Sequence, residues 1–308
     1  MSFGIAKIGT YIPSLRQKID EVLEYSGCNE REIKLMKRLH NIHQVPIVEN
    51  GQRLEETLRY ALLDLHLDIK VDLVLYAHSL LAQVPHDYGL LNKVLMPFDL
   101  LSTKKFGIAQ EACASSFYAM ELAGLYFAKK KNVNTILLIL GDQSNMTTRL
   151  RYIENSTVIG DSAVAVLLQK KNETNKVLSI GVYRDTRFNQ GFYENPQKTA
   201  LFNEEYVSII IKAVYETLTK ANVILDEIQY ILPYNVNKMT WRKFSKLTHF
   251  PLENIILDLL PEIGHTYTTD CFINLDYLQS QNRLKKGDKI LMVSVGLGCF
   301  VGSAVIEH

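Results

Sequence analysis

The sequence lacks the cysteine patterns and long apolar runs that mark several protein classes. Its four cysteines, Cys28, Cys113, Cys271 and Cys299, are widely spaced and form no CxxC pair. Neither a zinc ribbon nor a disulfide scaffold is therefore indicated. The sequence has no run of about 18 apolar residues, which excludes a transmembrane helix.

The sequence also lacks a strong charge of either sign. Its formal net charge is +1 at pH 7, so the field of the whole molecule attracts neither nucleic acid nor an anionic membrane strongly. The absence of GxGxxG and GxxxxGK(S/T) phosphate loops disfavours dinucleotide-binding and P-loop proteins. The first residues contain no basic region followed by a long apolar stretch, so we expect no signal peptide and a location in the reducing cytoplasm.

What the sequence does have is a plan that occurs twice. Of its 308 residues, 47% are hydrophobic and 22% are charged, which suffices for a large buried core. A helical pattern at residues 55–65 leads into an apolar run at 73–76, and a helical pattern at 206–218 leads into an apolar run at 228–232. The two apolar runs end 156 residues apart (232 − 76).

A second pair of segments keeps nearly the same spacing. The strand-like runs at 135–140 and 289–295 stop at glycines that lie 155 residues apart (296 − 141). Short apolar runs that alternate with amphipathic helices predict an α/β protein with a largely parallel sheet covered on both faces. We therefore predict two similar halves, residues 1–171 and 172–308, related by an approximate two-fold axis within one compact body.

Cys113 is the first candidate for a reactive residue. A short apolar run precedes it and a helical pattern rich in small residues follows it, so we predict that it lies at the start of a buried helix. The positive end of the helix dipole and free backbone N–H groups favour a thiolate there, and a thiolate is a nucleophile. The alternative is a buried structural cysteine, because free cysteines are usually buried packing residues.

Four motifs in register resemble the β-ketoacyl-[acyl-carrier-protein] synthase III branch of the thiolase superfamily. They are Glu-Ala-Cys-Ala-Ser-Ser at 111–116, Gly-Asp at 141–142, Ile-Gly-Asp-Ser-Ala-Val-Ala at 159–165 and Gly-Leu-Gly-Cys-Phe-Val-Gly-Ser-Ala at 296–304. Their order and spacing match across essentially the whole chain. Any one of them alone is a weak signal, whereas four in register together with the duplicated plan are fairly specific.

This resemblance implies a thiolase fold, which is a five-layer αβαβα arrangement of two pseudo-two-fold-related halves, and usually a homodimer. It also implies ping-pong chemistry, in which Cys113 takes an acyl group from an acyl-CoA or acyl-carrier-protein thioester and passes it to a second substrate. By the same resemblance, the backbone N–H groups of Cys113 and Gly298 form the oxyanion hole, and no separate cofactor or metal is expected.

The chain departs from this family at two positions that matter for the chemistry. Condensing members carry a histidine in Pro-His-Gln-Ala-Asn and an asparagine in Gly-Asn-Thr, which together stabilise the enolate left when a malonyl thioester loses carbon dioxide. Here Tyr234 occupies the histidine position and His265 the asparagine position. Asp270 follows five residues later and is a candidate to orient His265. The alternatives are a surface-loop histidine and, for Asp270, a helix N-cap.

The internal repeat favours His265 as a site residue. Adding the repeat length of 155 residues to position 113 gives 268, so the segment 264–270 is the counterpart of the turn that carries Cys113. Both segments should meet at the two-fold axis. We therefore predict that His265 lies within reach of the cysteine sulfur.

A Cys–His pair suits general-base activation of a hydroxyl or amine better than carbon–carbon bond formation. A subset of synthase III-like proteins in specialised metabolism shows this Gly-His…Asp variant and acts as acyltransferases. That resemblance implies an acyltransferase that acylates the oxygen or nitrogen of a small-molecule acceptor. One alternative is a decarboxylating condensing enzyme in which Tyr234 and His265 share the enolate. Another is a non-catalytic partner subunit of a condensing complex.

Five further residues are candidates for substrate binding. Asn235 and Asn237 follow Tyr234 in the same motif. Arg242 and Lys243 belong to a small basic cluster, in the region that meets the phosphopantetheine carrier or CoA phosphates in relatives; its alternative is a solvated helix face. His78 follows a strand, where the loops of parallel sheets gather toward ligands, although satisfied burial explains it equally well.

Overall fold

The computed structural model describes residues 3–144 and 151–308. Within these residues the chain forms thirteen strands and nine α-helices. The strands are β1 (Phe3–Tyr11), β2 (Arg16–Lys18), β3 (Gln44–Pro46), β4 (Leu73–Ala77), β5 (Lys104–Ile108), β6 (Thr135–Asp142), β7 (Tyr152–Ile153), β8 (Thr157–Val158), β9 (Ser162–Lys170), β10 (Lys176–Arg184), β11 (Ile228–Pro233), β12 (Lys289–Gly296) and β13 (Phe300–Glu307). The helices are α1 (Ile19–Tyr25), α2 (Glu30–His40), α3 (Leu54–Asp64), α4 (Leu90–Leu95), α5 (Ser115–Lys129), α6 (Pro196–Ala221), α7 (Lys238–Thr248), α8 (Leu260–Ile263) and α9 (Asp270–Ser280).

Nine of the described strands form one sheet with the order β11-β12-β13-β10-β1-β9-β6-β4-β5. It consists of two half-sheets that meet where Gly4 of β1 pairs with Lys176 of β10. Read from this junction, the strands β1, β9, β6 and β4 correspond to β10, β13, β12 and β11. Ile255 makes a lone parallel bridge to Ile231 of β11, at the place that β5 occupies in the first half. The predicted repetition of the plan is therefore present in the strand order.

The prediction of a largely parallel sheet is wrong. Parallel pairing joins β4 to β5 and β6, and β11 to β12, whereas the other five pairs of neighbouring strands are antiparallel. The chain turns back directly from β12 into β13 through residues 297–299, and such a return needs no crossover helix. An apolar run indicates that a strand is buried on both faces, but it does not indicate the direction of the strand.

Helices on both faces of each half-sheet produce five layers. α3 packs on β1 and β9 at one outer face, and α6 packs on β10 and β13 at the other. Between the half-sheets lie α5, which contacts β4, β6, β10 and β13, and α9, which contacts β1, β11 and β12. A large hydrophobic core fills this central layer, with Phe117, Met120, Phe272 and Leu275 fully buried. The arrangement is the five-layer order that the resemblance implies.

The predicted helices and strands lie close to their predicted positions, with one large difference. The helical pattern at 206–218 belongs to α6, which begins at Pro196 behind an N-cap at Asn195. Most of its first ten residues are exposed, so they carry no apolar period from which to predict them.

The turn between β9 and β10 contains the division predicted between residues 171 and 172, and that division stays a prediction. No helix in 3–144 or 151–308 is long and apolar enough to cross a membrane.

Gly296, the last residue of β12, packs against the backbone just before Cys113. A Cβ at this position would lie 2.0 Å from the carbonyl oxygen of Glu111, so Gly296→Ala must push β12 away from that turn. We expect the free energy of unfolding to fall by about 1–3 kcal/mol or more, as in overpacked cores, measured by chemical denaturation. Gly107→Ala is the control, because a Cβ there meets nothing within 4 Å. Equal stability of the two variants would contradict this packing.

Candidate active site

Cys113 lies in a tight turn between β5 and α5. Ala112–Ala114 form one turn of 3-10 helix, and Ser115 begins α5, so the cysteine immediately precedes the α-helix instead of lying in it. Ala112 adopts a left-handed backbone conformation (φ 47°), which makes the turn sharp. The Ser294 hydroxyl of β12 donates to the carbonyl oxygen of Cys113 at 3.0 Å. The cysteine is therefore buried (9% exposed) at the positive end of a fifteen-residue helix.

Backbone hydrogen bonds fix the position of His265 independently of the contacts that its side chain makes. Gly264 ends α8 with φ 56°, which turns the chain toward β8. The His265 N–H then donates to the carbonyl oxygen of Val158 at 3.1 Å, and the His265 carbonyl accepts from the N–H of Gly160 at 2.8 Å. The side chain is 3% exposed, and its ring orientation is fixed by the groups at its two nitrogens.

The imidazole of His265 joins Cys113 to Asp270. Its Nε2 lies 3.2 Å from Cys113 Sγ, and its Nδ1 lies 2.6 Å from Asp270 Oδ2. The carboxylate only accepts, so Nδ1 carries a proton toward Asp270 and Nε2 faces the sulfur. The predicted meeting of the two segments at the two-fold axis is therefore present, and the surface-loop alternative for His265 does not hold.

Asp270 is the first residue of α9 and is 1% exposed. It does not act as the N-cap, which is Thr269. Its carboxylate instead accepts from the backbone N–H of Asn235 at 2.6 Å, from the backbone N–H of Thr266 at 2.8 Å and from the Thr266 hydroxyl. These donors, together with His265, satisfy a charge that would otherwise be costly to bury.

The electrostatics of the site favour a protonated imidazole. Burial by itself lowers the pKa of His265, but the charges of Asp270 and of a Cys113 thiolate, with the hydrogen bonds to both, outweigh it and raise the pKa to about 10. A cationic imidazole beside the sulfur favours the thiolate in turn. The arrangement can therefore hold a thiolate–imidazolium pair in a site nearly closed to water.

Tyr234 lies beside this group, but its hydroxyl is not part of it. Its ring meets the rings of His265 and Trp241 edge-on, with centroid distances of 5.7 Å and 6.0 Å. The buried hydroxyl has no hydrogen-bond partner among residues 3–144 and 151–308. The tyrosine that replaces the family's histidine thus packs against the imidazole through its ring, and its hydroxyl makes no hydrogen bond to Cys113.

Hydrogen bonds within the fold occupy both ends of the Asn237 side chain but only the oxygen of the Asn235 side chain, whose buried Nδ2 has no partner among residues 3–144 and 151–308. Substrate contact by Asn235 stays a prediction. Besides its backbone bond to Asp270, Asn235 accepts from the Asn274 side chain at 3.3 Å. Asn237 caps α7 by accepting from the N–H of Thr240 at 2.8 Å, and its Nδ2 donates to the Ser156 carbonyl at 3.1 Å. Both ends of the Asn237 side chain are occupied, which leaves its predicted substrate contact without support.

The other substrate-binding candidates lie farther out. Arg242 and Lys243 are exposed on α7. His78 stacks on Tyr76 with 4.6 Å between ring centroids, next to a cavity of about 430 Å³. Burial lowers the pKa of His78 despite the hydrogen bond between its Nδ1 and the Leu80 carbonyl. Substrate contact by these three residues stays a prediction.

Gly298 lies in the loop between β12 and β13, with φ 91°. The neighbouring Gly296 brings this loop against the turn that carries Cys113, because its Cα hydrogen points at the Glu111 carbonyl oxygen. The loop is therefore adjacent to the nucleophile turn. The assignment of the Gly298 N–H to an oxyanion hole stays a prediction.

Two kinds of site residue were missed by sequence reasoning. Ser79 places its hydroxyl oxygen 3.4 Å from Cys113 Sγ, and its position in a polar turn after β4 was a usable signal. An apolar cluster also surrounds the cysteine: Ile159 and Tyr267 are buried against it, and Leu80 and Ile153 are partly buried. These four residues come from separate segments of the chain, so nothing in the sequence indicates that they meet.

Comparisons with known proteins agree with the fold. Two family models match the chain: 3-oxoacyl-[acyl-carrier-protein] synthase III over residues 109–186 and its C-terminal part over residues 218–308. The β-ketoacyl-[acyl-carrier-protein] synthase III of Rickettsia canadensis is 24% identical over 330 residues, covering 100% of both chains.

Similar solved structures include two kinds of protein. ChlB3, described as an acyltransferase, has a TM-score of 0.85 with 18% identity, covering 100% of this chain and 98% of its own. The synthase III of Pseudomonas aeruginosa PAO1 has a TM-score of 0.83 with 16% identity and the same coverage. At these identities the similarity shows the fold alone.

We predict that Asp270→Asn slows the alkylation of Cys113. The variant removes the charge that favours the imidazolium, so less thiolate forms, and a lost charge-assisted hydrogen bond corresponds to a rate decrease of about tenfold or more at neutral pH. The measurement is the rate of carbamidomethylation by iodoacetamide, followed by intact mass, with a thermal melt to confirm folding.

Asp276→Asn is the matched control for this prediction. It is the same substitution on the same helix, and its carboxylate contacts Thr10 at 3.2 Å instead of the imidazole. We expect it to be alkylated at the wild-type rate. If Asp270→Asn is folded and also reacts at that rate, the carboxylate does not act on the cysteine through His265.

Proposed function

The chain belongs to the synthase III-like members of the thiolase superfamily, and we propose that it is an acyltransferase that works through an acyl-cysteine at Cys113. The donor is an acyl-CoA or an acyl-carrier-protein thioester, and the acceptor is the hydroxyl or amine of a small molecule. The observation that carries the proposal is the contact of His265 with Cys113 on one side and Asp270 on the other. A cysteine, a base and a group that orients the base are the elements of nucleophilic acyl transfer.

In the first half-reaction the Cys113 thiolate attacks the carbonyl carbon of the donor thioester. A new carbon–sulfur bond forms to Cys113 as the bond to the donor sulfur breaks, and the imidazolium of His265 gives its Nε2 proton to the departing thiolate. The backbone N–H groups of Cys113 and Gly298, which the resemblance assigns to the oxyanion hole, would stabilise the tetrahedral intermediate. This half-reaction leaves an acyl-cysteine and a neutral imidazole.

In the second half-reaction His265 acts as a general base. Acylation removes the thiolate charge, which is one of the causes that raise the pKa of His265, so the pKa falls in the acyl-enzyme and neutral imidazole becomes available at lower pH. Nε2 then accepts the proton of the acceptor as its oxygen or nitrogen attacks the acyl carbon. The Cys113 thiolate leaves, and the thiolate–imidazolium pair is restored. Asp270 stabilises the imidazolium in this step.

A decarboxylating condensing enzyme is the second candidate, since the relatives are named β-ketoacyl-[acyl-carrier-protein] synthase III and the sequence resembles that family. Condensation needs two neutral donors directed at one enolate oxygen. In this chain Tyr234 has a buried hydroxyl without a described partner, and His265 is drawn toward its charged form by Asp270. The contacts of His265 with Cys113 and Asp270 favour transfer to oxygen or nitrogen, because they supply an oriented general base for an O–H or N–H group.

A non-catalytic partner subunit is disfavoured by the same contacts. A protein that keeps the fold only for assembly has no need of a buried Cys113–His265–Asp270 chain of hydrogen bonds.

We retain a homodimer, docking of the phosphorylated donor near Arg242 and Lys243, and a place in the reducing cytoplasm as parts of the proposal. Sedimentation velocity would test the dimer.

The proposal predicts covalent acylation of one residue. Incubation with short-chain acyl-CoA thioesters, and with the same acyl groups on a carrier protein, should add one acyl mass to the wild-type protein. Peptide mapping should place it on Cys113, and Cys113→Ala should gain none. Cys299→Ala is the matched control, since it removes another buried cysteine and should leave the acylation intact.

Two outcomes would contradict the proposal in different ways. An acyl mass that persists in Cys113→Ala would show that this residue is not the nucleophile. If the acyl-enzyme forms but reacts only with malonyl-carrier thioester, with release of carbon dioxide, the protein is a condensing enzyme instead. The first result removes both candidates, and the second chooses between them.

A further inference from the structure

Three segments that carry polar groups meet at one edge of the first half-sheet. β4 runs parallel to both β5 and β6, so the carboxyl ends of the three strands lie side by side. Ser79 follows β4, the turn with Cys113 follows β5, and Asp142 ends β6. The proposed function uses Cys113 alone from this edge.

The sulfur of Cys113 has a second polar neighbour besides His265. The Ser79 hydroxyl lies 3.4 Å from Sγ and is oriented to donate to it. Sulfur is a weak acceptor as a thiol, but as a thiolate it carries a full charge that a hydroxyl donor stabilises. Ser79 therefore has the position and the chemistry to hold the charged form of the nucleophile.

Asp142 fixes the backbone that carries this hydroxyl. It is fully buried, and its carboxylate accepts from the N–H of Ser79 at 2.9 Å and from the N–H of Leu80 at 2.8 Å. No Lys or Arg forms an ion pair with it in residues 3–144 and 151–308. Burial raises the pKa of Asp142 to about 7, although both backbone hydrogen bonds oppose the rise. Among residues 3–144 and 151–308, the Asp142 carboxylate accepts hydrogen bonds from the Ser79–Leu80 turn, and the charge of His265 also stabilises it.

We propose that Ser79 is a further catalytic residue whose hydroxyl donates to the Cys113 thiolate, and that Asp142 is a positioning residue that keeps the hydroxyl at the sulfur. The inference rests on the proposed role of Cys113 as nucleophile. His265 and Ser79 then donate to the sulfur together, in the resting thiolate and again when the thiolate leaves the acyl carbon. No covalent change occurs at Ser79 itself.

The test for Ser79 is the pH dependence of alkylation. The rate of carbamidomethylation of Cys113 by iodoacetamide is measured from acid to alkaline pH, and its midpoint reports the thiol-to-thiolate transition. Ser79→Ala should move the midpoint upward by about one pH unit, the size expected for one lost hydrogen bond to a charged group. Ser79→Thr keeps a hydroxyl at this position and should have the wild-type midpoint. Ser162→Ala, which removes a buried hydroxyl bonded to Thr269, should leave it unchanged.

The test for Asp142 is a double-mutant cycle on the same midpoint. Asp142→Asn should shift it in the direction of Ser79→Ala, and the double variant should shift it no further than Ser79→Ala alone. A residue that only supports the fold would lower the melting temperature without this non-additivity. An unchanged midpoint in Ser79→Ala overturns the role of Ser79, and a full additional shift in the double variant overturns that of Asp142.

Failure of this inference is separable from failure of the proposed function. Alkylation requires no acyl donor, so its pH profile tests Ser79 whether or not the protein transfers acyl groups. If wild-type protein is never acylated while the Ser79→Ala shift is present, the acyltransferase proposal fails and the hydrogen bond to the thiolate stands. If wild-type protein is acylated at Cys113 and Ser79→Ala shows no shift, the acyltransferase proposal stands and the role of Ser79 fails.

Discussion

The buried carboxylate of Asp270 requires hydrogen-bond donors on several sides, and the groups that supply them determine how the centre of the molecule is arranged. It is 1% exposed, and a buried charge is tolerated only when hydrogen bonds surround it. The donors come from His265, Thr266 and Asn235, so one carboxylate ties the loop before α9 to the end of β11. The helix dipole of α9 also favours a negative charge at this position. Since the imidazole is held on one side by Asp270, its other nitrogen points at the sulfur.

The duplicated fold explains why these groups can meet at all. α5 and α9 occupy equivalent places in the central layer, so the turns that precede them approach each other across the pseudo-two-fold axis. One turn supplies Cys113 and the other supplies His265. The ends of β6 and β12 close the site from either half, through Asp142 and Ser294. The candidate site thus draws its residues from both halves of the fold, and neither the composition nor a single motif indicates that these segments meet.

Much of this arrangement could be predicted from the sequence, and the limits have physical reasons. The spacing of the repeat placed His265 opposite Cys113, because segments that lie one repeat length apart occupy equivalent positions about the pseudo-two-fold axis. Strand direction could not be predicted, since buried apolar runs look the same in parallel and antiparallel pairs. Asn237 proved to be a helix cap and Ser79 a neighbour of the sulfur, and both depend on contacts between segments far apart in the chain. The start of α6 at Pro196 was missed because its first turns are mostly exposed and lack an apolar period.

We propose that His265 is the base that activates the oxygen or nitrogen acceptor for its attack on the acyl-cysteine. We would measure the single-turnover loss of the acyl mass from pre-formed acyl-enzyme to a simple alcohol, whose hydroxyl does not titrate over the pH range used, in wild type and in His265→Ala. We expect the wild-type rate to rise with pH and then to level off as the imidazole loses its proton. His265→Ala should be slower by at least about a hundredfold, in line with general-base contributions, and should lack this rise. Equal rates in the two proteins would show that His265 is not this base.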